Sequence, residues 1–164
     1  MENAEAQVLK FKELINEINT CVLVTKSDTG KLRGRPMATA KVDEDGSIWF
    51  FTNEYSGKVE EISHRGEILL SYASPSKNSY VVLSAKATLS DDKIKIKELW
   101  SPLMKAWFPE GLNDPKILLV KADPEEVEYW DSSANKIVVL FNMLKAAVNR
   151  NGYHEGQHGK LSVQ

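Results

Sequence analysis

The hydrophobic positions at the start of the chain repeat with the spacing of an α-helix. Within residues 4–19, apolar side chains fall on one side of a helical wheel and charged side chains fall elsewhere around it. The apolar set is Val8, Phe11, Leu14, Ile15 and Ile18. The pattern predicts an amphipathic N-terminal helix within residues 1–19.

From residue 20 the pattern changes to short segments rich in β-branched and aromatic residues, separated by turn residues. Three of these segments predict a meander of antiparallel strands at residues 20–26, 32–42 and 47–53. Pro36 cannot donate a hydrogen bond to a neighbouring strand, so the second strand is expected at a sheet edge. Further strands are predicted at residues 67–74, 80–90, 117–122 and 127–130.

Three helical segments interrupt or follow the strands. Ser56 is the predicted N-cap of a short helix that ends before Gly66. Residues 91–108 predict a longer helix with a kink near Pro102, since proline cannot donate within a helix. Residues 133–150 carry apolar side chains along one stripe and predict a C-terminal helix.

The order of these elements favours a mainly β fold. Helices interrupt the strands without alternating regularly with them, which disfavours a doubly wound parallel sheet. We expect a six-stranded antiparallel barrel, closed or nearly closed, over residues 20–131, with flanking helices. The polar residues 151–164 predict a mobile tail. With 164 residues in total, one domain over residues 1–164 is expected.

Composition and charge exclude several classes of function. The chain is 42% hydrophobic and 27% charged, with a net charge of -2, so it has no overall basic field for nucleic acid or anionic membrane. No apolar run approaches the roughly 20 residues of a membrane span. The acidic first residues lack the pattern of a secretion signal, and a cytoplasmic location is expected. Cys21, in an apolar run, is interpreted as a structural thiol.

The stretch from Arg33 to Lys58 combines groups that bind phosphate. Alternation along a strand places Arg33, Arg35 and Met37 on one face. Shortly afterwards Ser56-Gly57-Lys58 opens a helix, where free amide groups favour an anion. The strand before that helix carries Phe51 and Thr52 and could bury a flat ring. A solvated basic turn beside a core strand explains the same residues, because neither Arg-x-Arg nor Ser-x-Lys is rare.

Several short motifs occur in an order that resembles a known family. They are Arg35-Pro36-Met37, Asp45-Gly46, Trp49-Phe50-Phe51-Thr52-Asn53, Ser56-Gly57-Lys58-Val59 and Glu128-Tyr129-Trp130-Asp131. Over roughly residues 8–131 they resemble the pyridoxamine 5'-phosphate oxidase-like, FMN-binding split-barrel family. Residues 99–109, with the sequence LWSPLMKAWFP, are similar to its branch called general stress protein 26.

The resemblance implies a homodimer with two equivalent FMN sites at the subunit interface. It implies that Arg35 and Lys58 bind the FMN phosphate and that the strand before the helix lies beside the flavin. Trp130 stands where the oxidases have a tryptophan that reaches the flavin of the other subunit. The expected cofactor-binding residues are Arg35, Met37, Phe51, Thr52, Ser56, Lys58 and Trp130.

The chain also departs from the vitamin-processing oxidases. After the tryptophan motif they have an Arg-x-His segment for pyridoxamine phosphate, whereas this chain has Asp131 and Ser132. Near residue 80, Asn78 and Ser79 stand where those enzymes have a glutamine that contacts the flavin. Oxidation of pyridoxamine 5'-phosphate is therefore not expected.

The expected function is that of an FMN-binding flavoprotein, an oxidoreductase of unknown substrate that works through flavin N5. No catalytic protein residue is assigned and no metal site is expected, since His154 and His158 lie in the glycine-containing tail. The adjacent pair Glu60 and Glu61 is interpreted as a solvated face. Two alternatives stay open, namely a flavin-binding stress protein without turnover, and the same barrel binding deazaflavin or heme.

Overall fold

Eight antiparallel strands form one sheet in the computed structural model, which describes residues 4–53, 55–131 and 136–140. The strands are β1 (Thr20–Lys26), β2 (Leu32–Ala38), β3 (Lys41–Val42), β4 (Ile48–Asn53), β5 (Glu67–Ser74), β6 (Ser79–Ser90), β7 (Ile117–Trp130) and β8 (Lys136–Leu140). Their order across the sheet is β2-β1-β5-β6-β7-β4-β3, and β8 also pairs with β7.

The long strand β7 is where the sheet divides. Its first half, residues 117–122, pairs with β4, and its second half, residues 126–130, pairs with β8. The ladder with β6 changes register between Ser84 and Ala85, opposite Pro124, because proline has no N–H to donate. The divided, curled sheet is a split barrel, so the expected mainly β fold is confirmed.

Three α-helices flank the sheet within the described residues. They are α1 (Ala4–Ile18), α2 (Gly57–His64) and α3 (Lys93–Leu99). Short 3-10 turns lie at Pro75–Lys77, Pro102–Ala106 and Gly111–Asn113. No helix in the part of the chain that the structure describes is long and apolar enough to cross a membrane.

The barrel core forms from alternate residues of the strands. Leu23, Leu70 and Leu83 are almost completely buried in it, as are Phe11 and Ile15 of α1. Helix α2 adds Ile62 to the same core. Burial of these large apolar side chains stabilises the fold by roughly 1.5–3 kcal/mol each.

Strand β4 is buried on both faces because α3 and the following turns cover its outer side. Phe50 points into the barrel core. On the opposite face, Trp49 packs with Ile96, Phe108 and Leu119 in a second apolar cluster. This second cluster attaches the segment from α3 to β7 to the outside of the barrel.

Several predicted boundaries are wrong in informative ways. The predicted strand 32–42 divides at Thr39 into β2 and β3, and β4 pairs with β7, so no three-stranded meander forms. The segments 117–122 and 127–130 are one strand, which continues through Pro124 where the β6 ladder shifts register. Eight strands replace the expected six. The edge position of Pro36 is confirmed, since β2 pairs only with β1 among the described strands.

Two predicted helices also differ. The helix expected at 91–108 ends at Leu99, and a 3-10 turn begins at Pro102, because the residue before a proline disfavours helical geometry. The expected C-terminal helix at 133–150 is wrong for residues 136–140, which form β8. Tertiary pairing with β7 overrides the helical spacing there. The remainder of that helix and the tail 151–164 lie outside the described residues.

A partly buried ion cluster joins α3 to the β3–β4 turn. The Trp49 indole N–H donates to Asp43 Oδ2 at 2.7 Å, and Lys95 Nζ lies 3.1 Å from the same oxygen. Burial raises the pKa of Asp43, but the Trp49 hydrogen bond and the charges of Lys95 and Lys41 outweigh burial and lower the pKa below its ordinary value.

Asp43→Asn is expected to reduce the free energy of unfolding at pH 7 by about 1 kcal/mol, since it removes charge-assisted bonds. The folded-state pKa lies below the unfolded one, so the stabilisation is complete above about pH 4 and is lost as the pH falls through the folded value. Urea unfolding between pH 2 and 7 measures the difference, with Glu44→Gln in the same turn as control. A difference that stays constant down to pH 2 contradicts this account.

Candidate functional site

Arg33 and Arg35 lie together at the sheet edge, as alternation predicts. In the β1–β2 ladder Arg35 is opposite Leu23 and Arg33 is opposite Thr25. Directly paired residues project to the same face, and both β1 residues are buried, so the arginines project toward the inner side of the sheet. Arg35 is the more buried, with 23% of its side chain exposed.

Thr25 fixes the position of the Arg35 guanidinium. Arg35 Nη1 donates a hydrogen bond to Thr25 Oγ1 at 3.0 Å. The Thr25 hydroxyl in turn donates to Glu61 Oε2. Because Thr25 is buried near the end of β1, this chain of bonds gives Arg35 a defined orientation.

Helix α2 brings a carboxylate, that of Glu61, to the two arginines. Glu61 Oε1 lies 3.7 Å from Arg33 Nε, and Glu61 Oε2 lies 3.7 Å from Arg35 Nη2. The sequence interpretation of Glu61 as part of a solvated face is wrong, since only 11% of its side chain is exposed. Its position three residues after Lys58, on the same helix face, was the available signal.

Lys58 is a half-buried cation beside another cation. Burial lowers the pKa of its ammonium group, and the positive charge of Arg35 lowers that pKa further. Within residues 4–53, 55–131 and 136–140, no carboxylate pairs with Lys58. Two neighbouring cations of which one lacks a counter-ion form a site that favours a bound anion.

The N-terminus of α2 adds neutral hydrogen-bond donors. Ser56 is the N-cap residue, as predicted, but its side chain does not cap the helix. Instead its hydroxyl lies 3.2 Å from Thr52 Oγ1 at the end of β4. The first amide groups of α2 have no carbonyl partner within the helix. The polar cluster of the site consists of Arg35, Thr52, Ser56, Lys58 and Glu61.

Phe51 and Met37 make apolar contacts in the structure. Phe51 projects from the opposite face of β4 to Thr52, and packs edge-to-face against Trp100 with ring centroids 6.2 Å apart. Phe108 covers another side of the ring at 6.4 Å. Met37 is partly buried against the barrel core. Among the predicted site residues, the structure brings Thr52 next to Ser56 and Lys58 next to Arg35, and it places Phe51 on the other face of β4.

Trp130 lies at the far end of the sheet from Thr52. Thr52 pairs with Leu118 near the start of β7, twelve positions before Trp130. At about 3.3 Å per residue these positions are roughly 40 Å apart along the strand. Trp130 is opposite Lys136 of β8, whose ammonium group lies 5.8 Å from the centre of the indole ring. Trp130 is therefore separated along β7 from the Thr52 end of the site.

The polar cluster fits the phosphate of a cofactor such as FMN. It offers a guanidinium, an ammonium group, two hydroxyls and helix N-terminal amides, and it has an unneutralised cation as the specific feature that an anion would satisfy. No group of three or more potential metal ligands occurs among the described residues. Cys21 is buried, and burial raises the pKa of its thiol to about 11, so it is not an activated nucleophile.

A family model described as "Pyridoxamine 5'-phosphate oxidase like" matches residues 6–154. The chain belongs to this family. The resemblance noted from the short motifs is thereby confirmed.

Three relatives illustrate the pyridoxamine 5'-phosphate oxidase-like family. Protein bli-3 of Neurospora crassa is 26% identical over 118 residues, which cover 66% of this chain and 56% of the relative. A crystal structure from Clostridium acetobutylicum, of a protein related to general stress protein 26, has a TM-score of 0.72 at 20% identity and covers 84% of this chain and 96% of that one.

A third relative is described by what it binds. The general stress FMN/FAD binding protein of Xanthomonas citri has a TM-score of 0.66 at 23% identity and covers 75% of this chain and 87% of that one. At these identities the two crystal structures establish the split-barrel fold.

Lys58→Met is expected to remove the response of the protein to phosphate. In phosphate-free buffer the variant should be slightly more stable than wild type, by less than about 1 kcal/mol, because solvent already screens a half-exposed charge. Inorganic phosphate should raise the melting temperature of the wild type and not of the variant. Lys86→Met, on the exposed face of β6, is the matched control. Equal stabilisation of wild type and Lys58→Met by phosphate would contradict the site.

Proposed function

We infer that this chain is an FMN-binding flavoprotein in which Arg35 and Lys58 hold the cofactor phosphate at the N-terminus of α2. The proposal rests on the proximity of Lys58 to Arg35. Lys58 is half-buried and has no carboxylate partner in the described part of the chain. The FMN/FAD-binding description of the Xanthomonas citri relative supports the choice of a flavin phosphate over another anion.

The ring of the cofactor is proposed to lie along the end of β4. Thr52 and Ser56 place their hydroxyls at the end of β4 and the start of α2. A flavin ring that extends from a phosphate bound at the start of α2 can therefore reach the end of β4. Phe51, on the other face, supports the strand from behind through Trp100 and Phe108. In this arrangement Phe51 stiffens the cofactor site and does not contact the polar edge of the ring.

The proposed functional unit is a homodimer. Trp130 is twelve residues along β7 from the partner of Thr52, and we propose that it completes the flavin site of a second subunit. The family resemblance gives this tryptophan the same role. Exposed apolar side chains support a partner, among them Trp107 at 76% and Leu103 at 82% exposure.

The proposed chemistry is hydride or electron transfer, which a bound flavin supplies when it is present. The protein residues bind and orient the cofactor and exclude water from one side of it. Asp131 follows Trp130 at the position where pyridoxamine 5'-phosphate oxidases carry positive charge, and its carboxylate opposes a phosphorylated substrate. We therefore propose an oxidoreductase that acts on a substrate other than pyridoxamine 5'-phosphate.

Arg35→Ala is expected to weaken FMN binding about 10- to 150-fold, because a hydrogen bond between charged groups contributes about 1.5–3 kcal/mol. Riboflavin lacks the phosphate, and its affinity should change little. Calorimetry with both ligands measures the two losses, and Arg65→Ala at the exposed C-terminal end of α2 is the control. Equal losses for FMN and riboflavin would show that Arg35 does not bind the phosphate. The absorbance spectrum of the purified protein separates flavin from deazaflavin and heme.

Mixed dimers test the contribution of Trp130 from a second subunit. Arg35→Ala and Trp130→Ala homodimers should each bind FMN weakly, because each of their two sites has one defect. A heterodimer of the two variants has one site with both defects and one with neither, so it should bind one FMN per dimer with wild-type affinity. Failure to recover a tight site, or sedimentation of FMN-loaded protein at the 18.4 kDa of one chain, contradicts the proposal.

A further inference from the structure

The carboxylate of Glu61 is the one group of the polar cluster that the proposed function leaves unexplained. A carboxylate inside an anion-binding site does not strengthen the binding of an anion. Glu61 nevertheless lies buried beside the arginines, with 11% of its side chain exposed. The following inference rests on the proposed FMN phosphate site and concerns what Glu61 does there.

The carboxylate is shared between the two arginines. Its oxygens lie 3.7 Å from Arg33 Nε and 3.7 Å from Arg35 Nη2, beyond direct hydrogen-bond distance. Its hydrogen bond comes instead from the hydroxyl of Thr25, which also accepts from Arg35 Nη1. The guanidinium groups therefore keep donors that are not committed to Glu61.

The same carboxylate is close to the place that a phosphate would occupy. Glu61 follows Lys58 by three residues, so both side chains project from one face of α2. A phosphate that contacts Arg35 and Lys58 together must lie between them and thus near Glu61. Two negative charges close together in a partly buried site repel each other more strongly than they would in water.

We propose that Glu61 is an internal counter-anion that sets the affinity of this site for FMN. Without phosphate it neutralises Arg33 and Arg35 and holds them in place through Thr25. With phosphate bound, its charge opposes the ligand and keeps FMN binding weaker than the cations alone would make it. Glu61 is thus a positioning and affinity-setting residue for the phosphate-binding arginines.

Glu61→Gln is the direct test, because it keeps the length of the side chain and one oxygen that can accept from Thr25, and it removes the charge. We expect FMN affinity to rise about 10-fold through loss of the repulsion, with riboflavin affinity unchanged. Titration of flavin fluorescence measures both. Unchanged or weaker FMN binding, or an equal change for FMN and riboflavin as a purely structural role predicts, would overturn the proposal.

Further variants distinguish the effect of the Glu61 charge from an effect on folding. Glu60→Gln, on the exposed side of the same helix, should leave FMN affinity unchanged. Glu61→Asp retains the charge and should bind FMN within a few-fold of wild type. Glu61→Met has a similar length and no charge, and should tighten FMN binding as Glu61→Gln does even if the glutamine variant folds poorly. Tighter FMN binding by Glu61→Asp to the level of Glu61→Gln would contradict the role of charge.

Inorganic phosphate separates this inference from the proposed function. If wild type and Arg35→Ala bind FMN equally, the FMN assignment fails, and phosphate alone still reports on Glu61. We expect a given concentration of phosphate to raise the melting temperature of Glu61→Gln more than that of wild type. An equal rise in both proteins overturns the counter-anion role, whatever the result with FMN.

Discussion

The packing of α2 against β1 and β6 is the constraint on which the candidate site depends. Burial of Ile62 in the barrel core fixes the rotation of this eight-residue helix. That rotation carries Lys58 toward Arg35 and presents Glu61 to both arginines. Gly66 permits the close approach that follows, since a Cβ atom there would lie 2.8 Å from the carbonyl oxygen of Ala87. The burial of Ile62 thus positions the charged residues of the candidate site.

Much of this arrangement could be predicted from local patterns. Alternation along a strand correctly put Arg33 and Arg35 on one face, and Ser56 correctly marked the start of α2. Pro36 identified an edge strand because its missing N–H has a direct geometric consequence. These predictions rest on covalent structure or on a period of two residues, and neither depends on distant parts of the chain.

The remainder depends on contacts between distant residues. The spacing within 136–140 is compatible with a helix, and only the ladder with β7 makes it a strand. Strand β4 is apolar on both faces because α3 covers it, so alternation separates Phe51 from Thr52 but does not show which of the two faces the candidate site. Glu61 was misassigned for the same reason, since its arginine and threonine partners lie 26 to 36 residues earlier in the chain.

The central claim is that a cofactor phosphate lies between Arg35 and Lys58. A crystal structure of the protein grown with FMN tests it most directly. The account predicts phosphate oxygens within hydrogen-bond distance of the Arg35 guanidinium and of Lys58 Nζ in the same subunit. A phosphate bound elsewhere on the barrel, with Lys58 still lacking an anion beside it, would contradict the account.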